Sequence, residues 1–243
     1  MNTTLNYSLN FDPKKRKKTK IKFIIFHYTG MKKELNAIKK LTQDKSKVSS
    51  HYFIRKNGEI LTLLPELYVA WHAGVSCWQN YKSLNKYSIG IEISNPGHDY
   101  KYLKFTNKQI RSVVKLSKYL IKKYKIKSNF ILGHSDIAPS RKKDPGEKFP
   151  WKYLSKRKIS YWHDLDQKRL KSLRNQKLSN LEKTYFIKNL YKIGYEKHPN
   201  NKNIKNLNII TSAFQRRFRQ SLINGIPDKE CLKISENLIK KIK

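Results

Sequence analysis

Residues 133–151 read GHSDIAPSRKKDPGEKFPW, and the side chains in that stretch with chemistry to offer are His134, Lys142 and Asp144. His134 comes at the end of an apolar run, NFILGH, and a second histidine, His27, closes another in IKFIIFHYTG. Neutral imidazoles and a carboxylate are the ligand types that hold zinc, and three of them leave a fourth position for water or substrate. Glu92 sits between Ile91 and Ile93 in YSIGIEIS, where a carboxylate must face a site, a partner or solvent. On this reading His27, His134 and Asp144 are the metal ligands. Glu92 takes a proton from the water and passes it to a leaving amine, and Lys142 stabilises the developing oxyanion. An ordinary alternative stands beside each role. A strand-end histidine can be a plain core or surface residue. Asp144 before Pro145-Gly146 is also normal turn chemistry. Glu92 could face solvent on an edge strand, and Lys142 could be one solvated lysine among many.

The elements that would have to position these groups are legible. IKFIIFHYTG reads as a central strand ending at His27, with a helix following around KKELNAIKKLTQ. SSHYFIRKNGEILTLL sets two apolar stretches around Asn57-Gly58, a strong hairpin signal. YSIGIEIS is a further strand. TNKQIRSVVKLSKYLIKKYKI opens with Thr106 and Gln109 at capping-box spacing and carries an apolar stripe of Ile110, Val113, Val114, Leu120, Ile121 and Tyr124. NFILGH follows directly, so strands and helices alternate and an α/β architecture is expected. In such sheets functional groups collect at the carboxyl ends of strands, where two histidines and a loop aspartate can converge.

Four segments are expected. Residues 1–19 form a flexible basic leader, 20–165 the catalytic domain and 166–177 a lysine-rich linker. Residues 178–243 form a small all-α domain of three short helices, its start marked by Ser179 and Glu182 at capping-box spacing. A chain ending near Gln167 is then expected to fold and keep the site.

The 54 Lys+Arg against 17 Asp+Glu give a formal charge of +37, which at face value suggests an anionic partner. The lysines are spread over almost every segment alongside abundant Asn, Ile and Tyr, the signature of a compositional bias rather than of a nucleic-acid footprint. No dedicated nucleic-acid partner is expected. Cys77 and Cys231 are far apart and read as ordinary thiols. No apolar run is long enough to span a bilayer, and the PKKRKKTKIK leader lacks the apolar core of a signal peptide. A monomer is expected, cytoplasmic on the absence of that signal.

FHYTG, SSHYFI, AWHAG, SIGIEI and GHSDIAPSRKKDPGEKFPW occur in an order and spacing that resembles the zinc-dependent N-acetylmuramoyl-L-alanine amidases of the AmpD and AmiD type, over about residues 20–162. The resemblance implies a central mixed sheet flanked by helices, one zinc per chain, and cleavage of the amide between N-acetylmuramic acid and L-alanine in peptidoglycan or muropeptides. It maps the metal ligands onto His27, His134 and Asp144 and the catalytic glutamate and lysine onto Glu92 and Lys142. Trp71, His72 and Ala73 fall on the substrate-cleft segment, while His51 and Asp136 lie in shared motifs as supports. AFQRRFRQSLINGIPDKECLKISENL resembles the last part of a peptidoglycan-binding helical domain, as in the AmiD type, with Cys231 near the usual threonine. The AmiD type implies the periplasm or outer membrane as the alternative compartment. A non-catalytic peptidoglycan-recognition module is the alternative function, which the presence of every acid/base and ligand residue argues against.

Overall fold

The computed structural model describes residues 3–197 and 204–242. Its strands are β1 (Thr4–Leu5), β2 (Phe11–Asp12), β3 (Phe23–Tyr28), β4 (Tyr52–Ile54), β5 (Ile60–Thr62), β6 (Val69–Ala70), β7 (Cys77–Trp78), β8 (Tyr81–Lys82), β9 (Ser88–Ile93) and β10 (Ile131–Gly133). The helices are α1 (Glu34–Thr42), α2 (Asn107–Tyr124), α3 (His134–Ile137), α4 (Trp151–Ser155), α5 (Gln167–Ser172), α6 (Asn180–Ile193), α7 (Ile204–Phe218) and α8 (Lys229–Lys240).

Six strands make one mixed sheet in the order β1-β5-β4-β9-β3-β10, parallel everywhere except at the β4–β5 hairpin. β3 and β9 are adjacent interior strands and are apolar along almost their whole length, as strands covered on both faces must be. The hairpin closes at Asn57-Gly58: Gly58 has φ +87° and its N–H donates to the Arg55 carbonyl at 2.9 Å. Thr106 and Gln109 form the expected capping box of α2, and Ser179 and Glu182 that of α6. α1 is seated on the sheet by a small cluster of Ala37, Ile38, Leu41, Phe53, Leu61 and Leu63. The larger core runs without a break from β3, β9 and α2 through Phe149 and Trp151 into α6, α7 and α8.

Two expected segment types are not what the chain forms. The leader is not a flexible arm. β1 extends the sheet by pairing with β5, and β2 pairs with β6. Ser8 and Asn10 are buried, the one donating to the Leu41 carbonyl at 2.6 Å and the other to Gln43 and Val48 carbonyls at 2.8 and 3.0 Å. These backbone groups would otherwise be left unsatisfied beneath the leader, and that fixes its path. The linker likewise folds. Asp166 caps α5 through the Arg169 N–H at 2.9 Å, Leu170 is buried, and Lys177 bridges to Asp228. The catalytic part and the helical part therefore share one core instead of meeting across a tether.

Candidate active site

The parallel pairing of β3 and β9 sets His27 opposite Glu92, so both side chains leave the same face of the sheet near its carboxyl end. β10 pairs with β3 on the other side and ends at Gly133, which delivers His134 as the first residue of the single-turn α3. The following loop returns to place Asp144, and the Ser135 N–H donates to the Asp144 carbonyl at 2.9 Å. His27 Nδ1, His134 Nδ1 and Asp144 Oδ2 then form a triangle with sides of 3.0, 3.0 and 3.1 Å. It is the one cluster of potential metal ligands among the described residues, and all three members are buried.

Hydrogen bonds behind the ligands decide which ring nitrogens carry protons. Ser88 Oγ donates to the Leu84 carbonyl at 2.6 Å, leaving its lone pair for the His72 Nε2–H at 3.1 Å. His72 Nδ1 is then an acceptor, and it receives the His27 Nε2–H at 3.0 Å. His27 Nδ1 is left bare. His134 reaches the same state more directly, its Nε2–H donating to the Ala73 carbonyl at 3.1 Å. Burial, then His134, lowers His27 to about 4, which keeps the imidazole neutral. Three acceptors thus face one another with no donor among them, an arrangement that calls for a cation. The triangle's edges lie close to the about 3.3 Å of a tetrahedron with zinc–ligand bonds near 2.0–2.1 Å.

The triangle lies in the wall of a cleft of about 460 Å³ lined also by Tyr28, Trp71, Glu92, Lys40, Arg141, Lys142 and Lys143. Glu92 is half-buried, with Oε2 fully covered and unpartnered. Burial and then the Asp144 charge raise it to about 8, against the pull of Lys142. The substrate-cleft trio divides. Trp71 lines the cleft, its indole N–H held by Asp12 at 2.7 Å. His72 reaches the wall but spends its ring nitrogens on His27 and Ser88, and Ala73 serves through its carbonyl. The His72 ring lies flat on β9, where a Cβ on Gly90 would come within 2.5 Å of it, so only glycine fits there. His51 and Asp136 stand outside the triangle as supports. His51 accepts the Gly90 N–H at 3.0 Å, and Asp136 accepts the Gly133 N–H at 2.8 Å. Asp12, Ser88 and the Lys40–Arg141 flanks carried no signal in the sequence.

Residues 17–147 match the family model described as N-acetylmuramoyl-L-alanine amidase. The chain is 36% identical to the N-acetylmuramoyl-L-alanine amidase AmiD of Escherichia coli over 91% of its own length and 83% of that protein. The chain belongs to the N-acetylmuramoyl-L-alanine amidase family. As an amidase it hydrolyses the amide between N-acetylmuramic acid and L-alanine. It is 42% identical to the 1,6-anhydro-N-acetylmuramyl-L-alanine amidase AmpD of Citrobacter freundii, over 43% of the chain and 54% of that relative. The solved E. coli AmiD, a complex with anhydro-N-acetylmuramic acid-L-Ala-D-γ-Glu-L-Lys, superimposes on this amidase with a TM-score of 0.80 and 33% identity, covering 91% of this chain and 90% of that one. AmpDh3 of Pseudomonas aeruginosa matches with a TM-score of 0.80 and 28% identity over 94% of both chains. Both matches extend beyond the catalytic segment and take in the C-terminal helices.

Proposed function

We propose that the amidase works with one zinc ion held by His27, His134 and Asp144, and that its substrates are muropeptides or peptidoglycan carrying an acidic stem peptide. The donorless triangle of two bare imidazole nitrogens and a carboxylate is the observation that carries this reading. When bound, zinc supplies a Lewis acid that polarises the scissile carbonyl and lowers the pKa of water.

The chain's own groups do the remaining work. Glu92 Oε2 has no competing partner and Glu92 lines the cleft beside the triangle, so as a carboxylate it accepts a proton from the attacking water and returns it to the departing L-alanine nitrogen. Lys142 stands on the cleft wall within electrostatic reach of both His27 and Glu92, where a fixed positive charge favours the oxyanion over the neutral carbonyl. Lys40, Arg141 and Lys143 offer further positive charge to stem-peptide carboxylates. Arg141 is anchored by donating from Nη2 to the Ala73 and Val75 carbonyls at 2.5 Å each, which fixes the rim on that side.

Glu92→Gln tests the division of labour, because it keeps the shape and removes the base. Zinc content should be unchanged while turnover falls roughly a hundredfold or more, the scale of general-base loss. Retained turnover in that variant would remove Glu92 from the chemistry.

A further inference from the structure

α7 does more than complete the core. Arg217, near its C-terminal end, is only 2% exposed and reaches out of the helical unit into the segment that carries His134. Its Nη1 donates to Asp136 Oδ2 at 2.5 Å and its Nη2 to the Ile131 carbonyl at 2.9 Å, while the guanidinium lies 4.5 Å from the centre of the Trp151 ring. From the end of α6, Tyr195 donates its hydroxyl to Asp136 Oδ1 at 3.0 Å. The Asp136 carboxylate passes the restraint inward by accepting the Gly133 N–H.

His134 lies between those fixed points. The strand before it, β10, is an edge strand paired only with β3, and the Ile131 carbonyl on its open side is taken by Arg217. The helix after it is one turn of four residues, too short to hold its own shape. Besides the Ser135 N–H bond to the Asp144 carbonyl and the His134 bond to the Ala73 carbonyl, this turn is held through Asp136 by two side chains of the C-terminal helical unit, Arg217 of α7 and Tyr195 just past α6. A buried carboxylate deprived of these partners would be left with unsatisfied oxygens and no fixed rotamer.

From this we infer that Arg217 is a positioning residue for the metal centre, acting on His134 through Asp136, and that the C-terminal helical unit is an obligate part of the active site rather than a detachable module. The inference rests on His134 being a zinc ligand. Supporting residues of this kind change metal affinity by about 10–100-fold when removed.

Arg219 provides an internal control. It is equally buried, but its side-chain partners Asp228, Glu230 and Asn224 all lie within the helical unit. The experiment uses the full chain and measures zinc affinity by chelator competition, with the visible spectrum of the cobalt(II)-substituted protein as a report on ligand geometry. Arg217→Met should weaken zinc about 10–100-fold and alter the cobalt bands. Arg217→Lys, which keeps the charge but loses the fork, should fall between Arg217→Met and wild type. Arg219→Met should lower the melting temperature while leaving zinc affinity and the cobalt spectrum of the folded protein unchanged. If Arg217→Met does not fold, Arg217→Lys decides: wild-type zinc affinity and cobalt bands in that variant overturn the inference, as they would in Arg217→Met. An equal loss of zinc affinity in Arg219→Met would also overturn it, by showing that general destabilisation suffices. A wild-type chain that binds no zinc would instead overturn the metal reading, and the inference with it.

Discussion

At the scale of single residues, the proposed metal centre is decided by where a few protons sit. The Ser88 hydroxyl is committed to the Leu84 carbonyl, and that choice passes through His72 to leave His27 Nδ1 bare. His72 is therefore expected to act on the metal more than on substrate. His72→Phe preserves the ring's bulk over Gly90 and removes the acceptor for the His27 Nε2–H. It should weaken zinc about 10–100-fold, whereas a purely substrate-contacting role would raise KM and leave zinc affinity alone. His27, His134 and Glu92 stood out in the sequence because each interrupts or ends an apolar run, where a polar group needs a reason, and Asp144 because it lies on the loop just beyond the strand that ends at His134. Arg217 was not legible. Its partner lies 81 residues away, and in a chain with 54 Lys+Arg one more arginine in AFQRRFRQ carries no local mark.

At the scale of elements, periodicity recovered what is long and missed what is short. α2, with its capping box and apolar stripe, and the central strands β3 and β9 follow from pattern alone. β1 and β2 are two residues each, and α5 has one buried apolar residue in six, so none offers a repeat to detect. That is why the leader and the linker read as unstructured. The error matters for function, since β2 carries Asp12, the acceptor that fixes the Trp71 indole at the cleft. Asp12→Ala should release that ring. Loss of the fixed ring should raise KM for a muropeptide with little change in kcat. An unchanged KM would separate the leader from the substrate cleft.

At the scale of the whole molecule, one core joins the sheet to the C-terminal helices, and a chain ending near Gln167 would expose Trp151, Phe149 and the open side of β10. Such a chain should neither fold stably nor keep the metal site. Acid should weaken the fold for a related reason. His51 is lowered to about 3 by burial and then Arg16, and His163, buried against Trp162, to about 4 by burial and then Lys152. Unfolding lets both rise to about 6.5, so the unfolded chain takes up protons first as pH falls. Their contribution is fully present above about pH 6.5 and is lost as pH drops toward 4 for His163 and toward 3 for His51, at up to about 1.4 kcal/mol per pH unit for each group. Denaturant unfolding should show His163→Leu losing stability less steeply than wild type across that window, and parallel curves would rule His163 out. The most direct test of the central claim is turnover of an anhydromuropeptide by the full chain before chelation, after it and after zinc is restored, with metal content measured at each stage. The account predicts about one zinc per chain, loss of L-alanyl peptide release when it is removed, and recovery in wild type but not in His134→Ala. Undiminished hydrolysis by the metal-stripped chain would contradict it.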